Sequence, residues 1–190
     1  MLVAQKKNIR NISTQKVLLW IAIGSIVMLF AGLTSAYIVR EAEGNWKHFE
    51  VPFYFYVSTG IILLSSICIN MALIKTKKDQ NLQATLFLGL TLLLGIGFVV
   101  SQYLGWAHLV SEGVYFVDPK TPSGSFMYVL TGLHLVHVLG GLIALVVTLT
   151  RSGNHRYSSS NSLGVELCAT YWHFLGGLWV YLFFFLLLVR

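Results

Sequence analysis

The feature that most constrains this fold is a set of five long apolar runs, none of which contains Asp, Glu, Lys or Arg. They cover residues 17–39, 53–74, 86–107, 126–149 and 168–189. About 20 apolar residues in a helix cross the roughly 30 Å hydrocarbon layer of a membrane. Helices also satisfy their own backbone groups there. The sequence therefore predicts an all-α polytopic protein, with five transmembrane helices bundled into a single membrane domain over residues 1–190.

Composition agrees with a chain that lives in lipid. Only 11% of the 190 residues are charged, against about 25% in soluble domains. The net charge of +6 does not indicate a nucleic-acid partner, because the basic residues lie outside the apolar runs and separate by side. The first run is too long for the apolar core of a signal peptide, so we expect it to be a retained helix.

Lysine and arginine predict the orientation, since they concentrate on the cytoplasmic side. Nine of the thirteen fall on the side of the N-terminus: Lys6, Lys7, Arg10, Lys16, Lys75, Lys77, Lys78, Arg151 and Arg156. Five of the seven acids fall on the other side: Glu41, Glu43, Glu50, Glu112 and Asp118. We expect a cytoplasmic N-terminus and a C-terminus on the opposite side of the membrane.

Small residues mark the predicted helix contacts, because helices in lipid associate by close packing. The third run carries Gly97, Ser101 and Gly105 at intervals of four. Glycine pairs occur in the fourth and fifth runs: Gly140, Gly141, Gly176 and Gly177. We assign these seven positions to bundle packing, with a substrate path as the alternative.

Polar side chains inside or at the end of the runs are the candidate functional residues, since such groups usually face the bundle interior with a partner. They are Gln102, His134, His137, Glu166 and His173. We expect the histidines to be neutral and hydrogen-bonded across helices, with a proton relay as the alternative. Two histidines with no third ligand fall short of a zinc site, and no triad, phosphate loop or H-E-x-x-H motif is present. We therefore assign no catalytic, cofactor or metal residue.

Two of these segments resemble subunit III of the haem–copper terminal oxidases, of the cytochrome c oxidase type. Residues 124–141 read GSFMYVLTGLHLVHVLGG, and residues 166–179 read ELCATYWHFLGGLW. Each segment matches the family pattern at many positions within one helix, and the two segments occur in the same order as in the family. Five spans with a cytoplasmic start are similar to the short bacterial form of that family. This resemblance implies a bacterial inner membrane, with the C-terminus in the periplasm.

The resemblance implies a subunit without a redox centre, packed on a catalytic subunit I and accompanied by subunit II. Those partners would carry the haem and copper, while this chain would bind phospholipid and support stability and proton uptake during aerobic respiration. Trp172 and Trp179 belong to the matching segment and are expected to pack in the bundle. The sequence departs from many members at three positions, where Ile26, Gly105 and Gly176 replace acids.

Four other functions stay open at this point. The chain fits subunit III of a quinol oxidase or the accessory protein of nitric oxide reductase, because electron-donor specificity resides in other subunits. A small permease is disfavoured, since transporters tend to show repeats and broken helices. A haem-binding membrane cytochrome is the fourth alternative, as a single haem between His137 and His173 is compatible with their spacing.

Overall fold

The chain folds into five long helices, as a computed structural model of the protein shows. It describes residues 2–42, 44, 50–117 and 122–189, with side chains from residue 14 onward. In chain order the helices are α1 (Leu2–Ala42), α2 (Phe53–Lys77), α3 (Asn81–Ser111), α4 (Ser123–Gly153) and α5 (Leu163–Leu188). All five are long and apolar enough to cross a membrane. The predicted all-α architecture with five spans is confirmed.

The helices extend beyond the apolar runs at both ends. α3 begins at Asn81 rather than at residue 86, and α4 continues to Gly153. Polar residues continue the backbone hydrogen bonding of a helix once the chain has left the hydrocarbon layer. The apolar runs therefore give the membrane crossings and underestimate the helices.

Helices α2, α3, α4 and α5 form a ring, and α1 lies outside it. α2 packs on α3, α3 on α4, α4 on α5, and α5 back on α2. α1 packs against α4 and α5, and no described residue of α1 comes within 8 Å of α2 or α3 by Cα distance. Large side chains fill the centre of the ring, among them Phe55, Phe98, Met127, Trp172 and Trp179. The ring is thus the core of the molecule, and α1 is a peripheral element.

The turn after α2 ends the helix with a residue in the left-handed region. Asp79 has φ 56°, and its N–H donates to the Thr76 carbonyl at 3.1 Å. The N–H of Gln80 then reaches back to the Lys75 carbonyl at 3.0 Å. This is the Schellman arrangement, which satisfies the last carbonyls of a helix. It reverses the chain within a few residues and brings α3 alongside α2.

The same device ends α4, with His155 at φ 53° in place of Asp79. Its N–H donates to the Ser152 carbonyl at 3.0 Å, and Arg156 N–H donates to the Arg151 carbonyl at 3.1 Å. The two turns are joined, because the Ser159 N–H donates to Asp79 Oδ1 at 2.6 Å. Hydrogen bonds from Ser159 hold the pKa of the Asp79 carboxyl below its usual value. The α2–α3 and α4–α5 connections therefore form one polar layer at the end that carries most of the basic residues.

Candidate functional site

His134 lies fully buried in the ring of helices, inside a shell of aromatic side chains. Its ring centroid is 5.9 Å from that of Phe98 and 6.4 Å from that of Phe30, both edge to face. Trp179 lies 5.3 Å away at an interplanar angle of 32°. Neither ring nitrogen has a hydrogen-bond partner among the described residues. Contacts with aromatic faces thus replace the cross-helix hydrogen bonds that we expected for this histidine.

His137, one turn further along α4, makes a local contact. Its Nδ1 lies 2.7 Å from the Leu133 carbonyl oxygen. Because a carbonyl can only accept, Nδ1 carries the proton and donates it within its own helix. The Tyr171 hydroxyl on α5 donates to the His137 carbonyl at 3.3 Å. The backbone of this residue, rather than its ring, makes the hydrogen bond across helices.

His173 is exposed on the outside of α5 and makes no hydrogen bond to a described residue. The three predicted histidines therefore have three different surroundings: the core, a half-buried helix face and the outer surface. Among the described residues, no three His, Cys, Asp or Glu side chains come together as metal ligands would.

Gln102 belongs to a second feature, a series of hydroxyl groups on α2 that accept hydrogen bonds from neighbouring helices. Gln102 Nε2 donates to Ser58 Oγ at 2.8 Å. The indole N–H of Trp179 donates to Thr59 Oγ1, and that of Trp172 donates to Ser65 Oγ, both at 2.9 Å. Buried polar groups are normally paired in this way. The pairs join α3 and α5 to α2 at two depths, one at Ser58 and Thr59 and the other about 10 Å away at Ser65.

Sequence reasoning did not single out these three hydroxyl residues. A signal was available, because Ser58 and Ser65 are seven residues apart and so share one face of an apolar helix. Their partners could not be read from the sequence, since Trp172 and Trp179 are more than a hundred positions away.

Glu166 joins three helices at the basic end of the bundle. One carboxylate oxygen lies 3.2 Å from Lys16 Nζ on α1, and the other lies 3.2 Å from Lys77 Nζ on α2. The Ser162 hydroxyl donates to the same carboxylate at 3.0 Å. In the sequence both lysines indicate only the orientation in the membrane. In the structure they also counter the charge of Glu166.

A polar cavity of about 840 Å³ opens beside this ion pair. Lys16, Arg151 and Arg156 line it together with the start of α5. Neither arginine has an ion-pair partner among the described residues. Ser162 precedes α5 without capping its backbone N–H groups by a side-chain hydrogen bond. Glu166 also lines the cavity, but its carboxylate is paired with Lys16 and Lys77. The two free guanidinium groups and the helix N-terminus therefore leave the cavity suitable for an anion.

Some of the small residues assigned to packing are in close contact within the chain. A Cβ added to Gly105 would lie 2.5 Å from the Phe55 ring, and one added to Gly141 would lie 2.9 Å from Leu175. Gly176 faces Ser66 at 3.3 Å, and Ser101 Oγ donates to the Tyr54 carbonyl at 2.8 Å. Gly95, which we did not assign, has Leu142 and Trp172 within 3 Å of its Cβ position.

The other three small residues have more open surroundings. A Cβ on Gly97 or Gly177 would meet nothing within 4 Å, and one on Gly140 would meet only the Tyr171 hydroxyl, at 4.0 Å. Spacing in the sequence therefore identifies small residues but not which of them a neighbouring helix covers.

The match to known proteins extends over almost the whole chain. Residues 16–189 match the family model described as "Cytochrome c oxidase subunit III". The chain belongs to the cytochrome c oxidase subunit III family. This confirms the resemblance that residues 124–141 and 166–179 indicated.

Related proteins carry the same name or that of a second oxidase type. Cytochrome c oxidase subunit 3 of Corynebacterium diphtheriae is 31% identical over 86% of this chain and 85% of its own. Probable cytochrome c oxidase subunit 3 of Nocardia farcinica is 30% identical over 95% of this chain and 89% of its own. Cytochrome bo(3) ubiquinol oxidase subunit 3 of Pseudomonas aeruginosa is 29% identical over 86% of this chain and 79% of its own.

The family and the five helices together define the setting of this subunit III. It is a multi-pass protein of the bacterial inner membrane and the third subunit of a haem–copper oxidase complex. The predicted function as a cytochrome c oxidase subunit III is confirmed at this level.

Proposed function

We propose that this subunit III is a non-catalytic scaffold, which packs on the haem–copper subunit I and sustains the complex during turnover. This proposal rests on one observation: polar side chains inside the membrane-spanning helices contact other helices of the same chain. Gln102, Trp172 and Trp179 bond to hydroxyls of α2, and His134 is enclosed by aromatic rings. These side chains hold helices together and do not converge on a common point where a substrate could bind.

Three positions lack the acids that many family members carry, which indicates that this subunit itself transfers few protons. Ile26 packs against the hydrophobic core, and Gly105 lies against the Phe55 ring. Gly176 lies against Ser66 and Ile62. At Gly105 and Gly176 the space that a carboxylate would need is thus already occupied by α2. Any support of proton uptake by this subunit is therefore indirect, through the integrity of the complex.

A His137→Leu variant of the complex tests this proposal. It removes the imidazole while leaving the backbone carbonyl that accepts from Tyr171. We expect normal haem spectra, initial activity and proton stoichiometry, with faster loss of activity during turnover. A lowered proton stoichiometry at normal initial activity would instead assign a proton-relay role to this residue.

Purification of a tagged chain in mild detergent identifies the partners that we propose, subunit I and subunit II. We expect haem and copper in the complex and no haem in the isolated chain. A copper-bearing subunit II with a cytochrome c domain would support a cytochrome c oxidase. A complex that oxidises quinol would support the second candidate, which the similarity to the Pseudomonas subunit favours.

We also propose that the cavity lined by Lys16, Arg151 and Arg156 holds a phospholipid headgroup. Phosphate suits both the free guanidinium groups and the start of α5. Replacing both arginines by glutamine should lower the phospholipid that remains bound after detergent washing. The matched control replaces Lys75 and Lys78, which carry the same charge at the same end but do not line the cavity. Equal phospholipid in both variants would contradict this assignment.

A further inference from the structure

Two polar side chains are exposed on the membrane-facing surface of the ring, Asn70 on α2 and His173 on α5. Neither forms a hydrogen bond to any residue that the structure describes. Exposed polar residues near helix ends reach water, but these two are well inside their helices. Their depth and their position relative to each other decide what they can contact.

The Lys77–Glu166 ion pair fixes the register of α2 against α5 at 3.2 Å. Asn70 precedes Lys77 by seven residues, and His173 follows Glu166 by seven. The two helices run in opposite directions, so both side chains lie about 10 Å deeper in the membrane than the ion pair. Seven residues are nearly two full turns, so each also lies on the helix face of its charged neighbour. The contacts of Gly176 with Ile62 and Ser66 agree with this register to within about one helical turn. Asn70 and His173 therefore lie at similar depth on adjacent helices.

The surroundings of this pair are those of a helix–helix contact. Ile67 and Ile74 flank Asn70 and are 62% and 40% exposed. Gly177 lies one turn from His173, and nothing is within 4 Å of its Cβ position. Small residues that permit close approach, next to side chains that can hydrogen-bond, are typical of helix interfaces in membranes.

Gly97 on α3 is as open as Gly177, but the other membrane-facing surfaces of the ring differ from this one in their exposed side chains. At comparable depth, α3 exposes Leu90, Leu93 and Ile96, and α4 exposes Leu139 and Ile143. Such apolar side chains are compatible with lipid. An amide and an imidazole in hydrocarbon are costly unless another protein group hydrogen-bonds to them.

We propose that this surface, defined by Ile67, Asn70, Ile74, His173 and Gly177 and called the α2–α5 face, docks a transmembrane helix of another oxidase subunit. The partner helix presents a hydrogen-bonding side chain at the level of Asn70 and His173. An amide or hydroxyl suits the position, because the Asn70 amide and a neutral imidazole each offer a donor and an acceptor. The inference rests on the proposed function as a packing subunit and specifies the face that packs.

Photocrosslinking in the intact complex tests the docking face. A benzophenone amino acid is placed at Ile67 and, as controls, at Leu93 and Ile143, which are both 67% exposed. We expect Ile67 to crosslink to another oxidase chain, and the two controls to react with lipid. If only lipid is captured from Ile67 while the oxidase subunits still co-purify, the docking face is wrong and the scaffold proposal stands. If no oxidase subunit co-purifies with the unmodified chain, the scaffold proposal itself fails.

A second measurement addresses the two polar side chains. The variant with Asn70→Leu and His173→Leu should leave roughly tenfold less subunit III per haem after a detergent wash, because two interhelical hydrogen bonds are lost. His173→Gln, which keeps a donor and an acceptor, should retain the subunit in combination with native Asn70. Full retention of the double leucine variant would overturn the proposal.

Discussion

Gly105 and Gly97 lie eight residues apart on α3 and differ in what covers them. The Phe55 ring lies within 3 Å of the place where a Cβ would be added to Gly105, and nothing approaches that of Gly97. Phe55 is buried and packs on Trp179 at a centroid distance of 5.6 Å. A side chain at Gly105 would therefore displace a core residue.

Gly105→Ala should lower the stability of the subunit by about 1–2 kcal/mol, because overpacking outweighs the gain in helix propensity. Gly97→Ala is the matched control and should be neutral or stabilising by up to about 1 kcal/mol. Thermal denaturation midpoints of both variants in the same detergent measure the difference. Equal midpoints would show that the α2–α3 contact is looser than the structure indicates.

Trp172 and His134 are both buried and polar, yet the consequences of removing their polar groups should differ. Trp172→Phe leaves Ser65 without its donor and should cost about 1–3 kcal/mol. His134→Leu removes nitrogens that have no partner among the described residues, and should change stability by less than about 1 kcal/mol. Thermal denaturation midpoints of the two variants in the same detergent test this difference in stability. A larger loss for His134→Leu would mean that its nitrogens are hydrogen-bonded in the assembled complex.

At this scale the sequence identified residue types better than partners. It singled out His134 and Gln102, because polar groups inside apolar runs are conspicuous. It did not reveal Phe30 and Phe98 around His134, since aromatic residues are common throughout these runs and their contacts depend on helix rotation. The lysines on either side of Glu166 come from two other helices, so their convergence depends on how those helices pack.

Among the elements, α1 is joined to the ring by polar contacts in both halves of its length. Thr34 and the Tyr181 hydroxyl are 3.0 Å apart in its C-terminal half, and Lys16 pairs with Glu166 in its N-terminal half. The Glu166 side chain is 26% exposed, so water and salt weaken the pair only in part.

Glu166→Gln should lower the denaturation midpoint modestly, by about 1 kcal/mol or less in stability, since partly exposed ion pairs contribute little. The control is Glu112→Gln, which removes an exposed contact with His108 at the C-terminal end of α3 and joins no two helices. We expect no change for the control. The difference between the variants should shrink at high salt, and a difference independent of salt would argue against an electrostatic cause.

The two connections at the basic end should loosen together in acid. Because the pKa of Asp79 is lowered in the folded protein, its stabilising contribution is present above the pKa of the unfolded chain. It is lost as the pH falls through the folded value, below about pH 4. Asp79→Asn should flatten this dependence while tolerating the left-handed conformation. Denaturation midpoints between about pH 3 and 6 test it, and parallel curves for variant and wild type would contradict it.

At the scale of whole elements, the sequence predicts that five helices form but does not predict where each one begins and ends. Apolar length measures the hydrocarbon crossing, so it does not predict that α3 begins at Asn81 or α4 at Ser123. The turns at Asp79 and His155 were also unpredicted, because these residues adopt a positive φ much less often than glycine does.

For the whole molecule, the distribution of lysine and arginine predicts a direction in the membrane. A reporter that is active only in the periplasm should be active when fused after residue 189 and inactive when fused to the N-terminus. The control adds lysines beside Arg40, on the side that carries few, and should reduce the proportion in the predicted orientation. Activity from the N-terminal fusion would reverse the assignment of Glu166 and its lysines to the cytoplasmic side.

The peripheral position of α1 also has a consequence for synthesis. This helix precedes the other four in the chain, but the elements that it contacts, α4 and α5, are made last. During translation α1 is therefore without its partners in this chain while α2 and α3 are inserted. Its largely exposed apolar surface suits that interval. The final packing step for this subunit is then the association of newly inserted α4 and α5 with α1, which is already in the membrane.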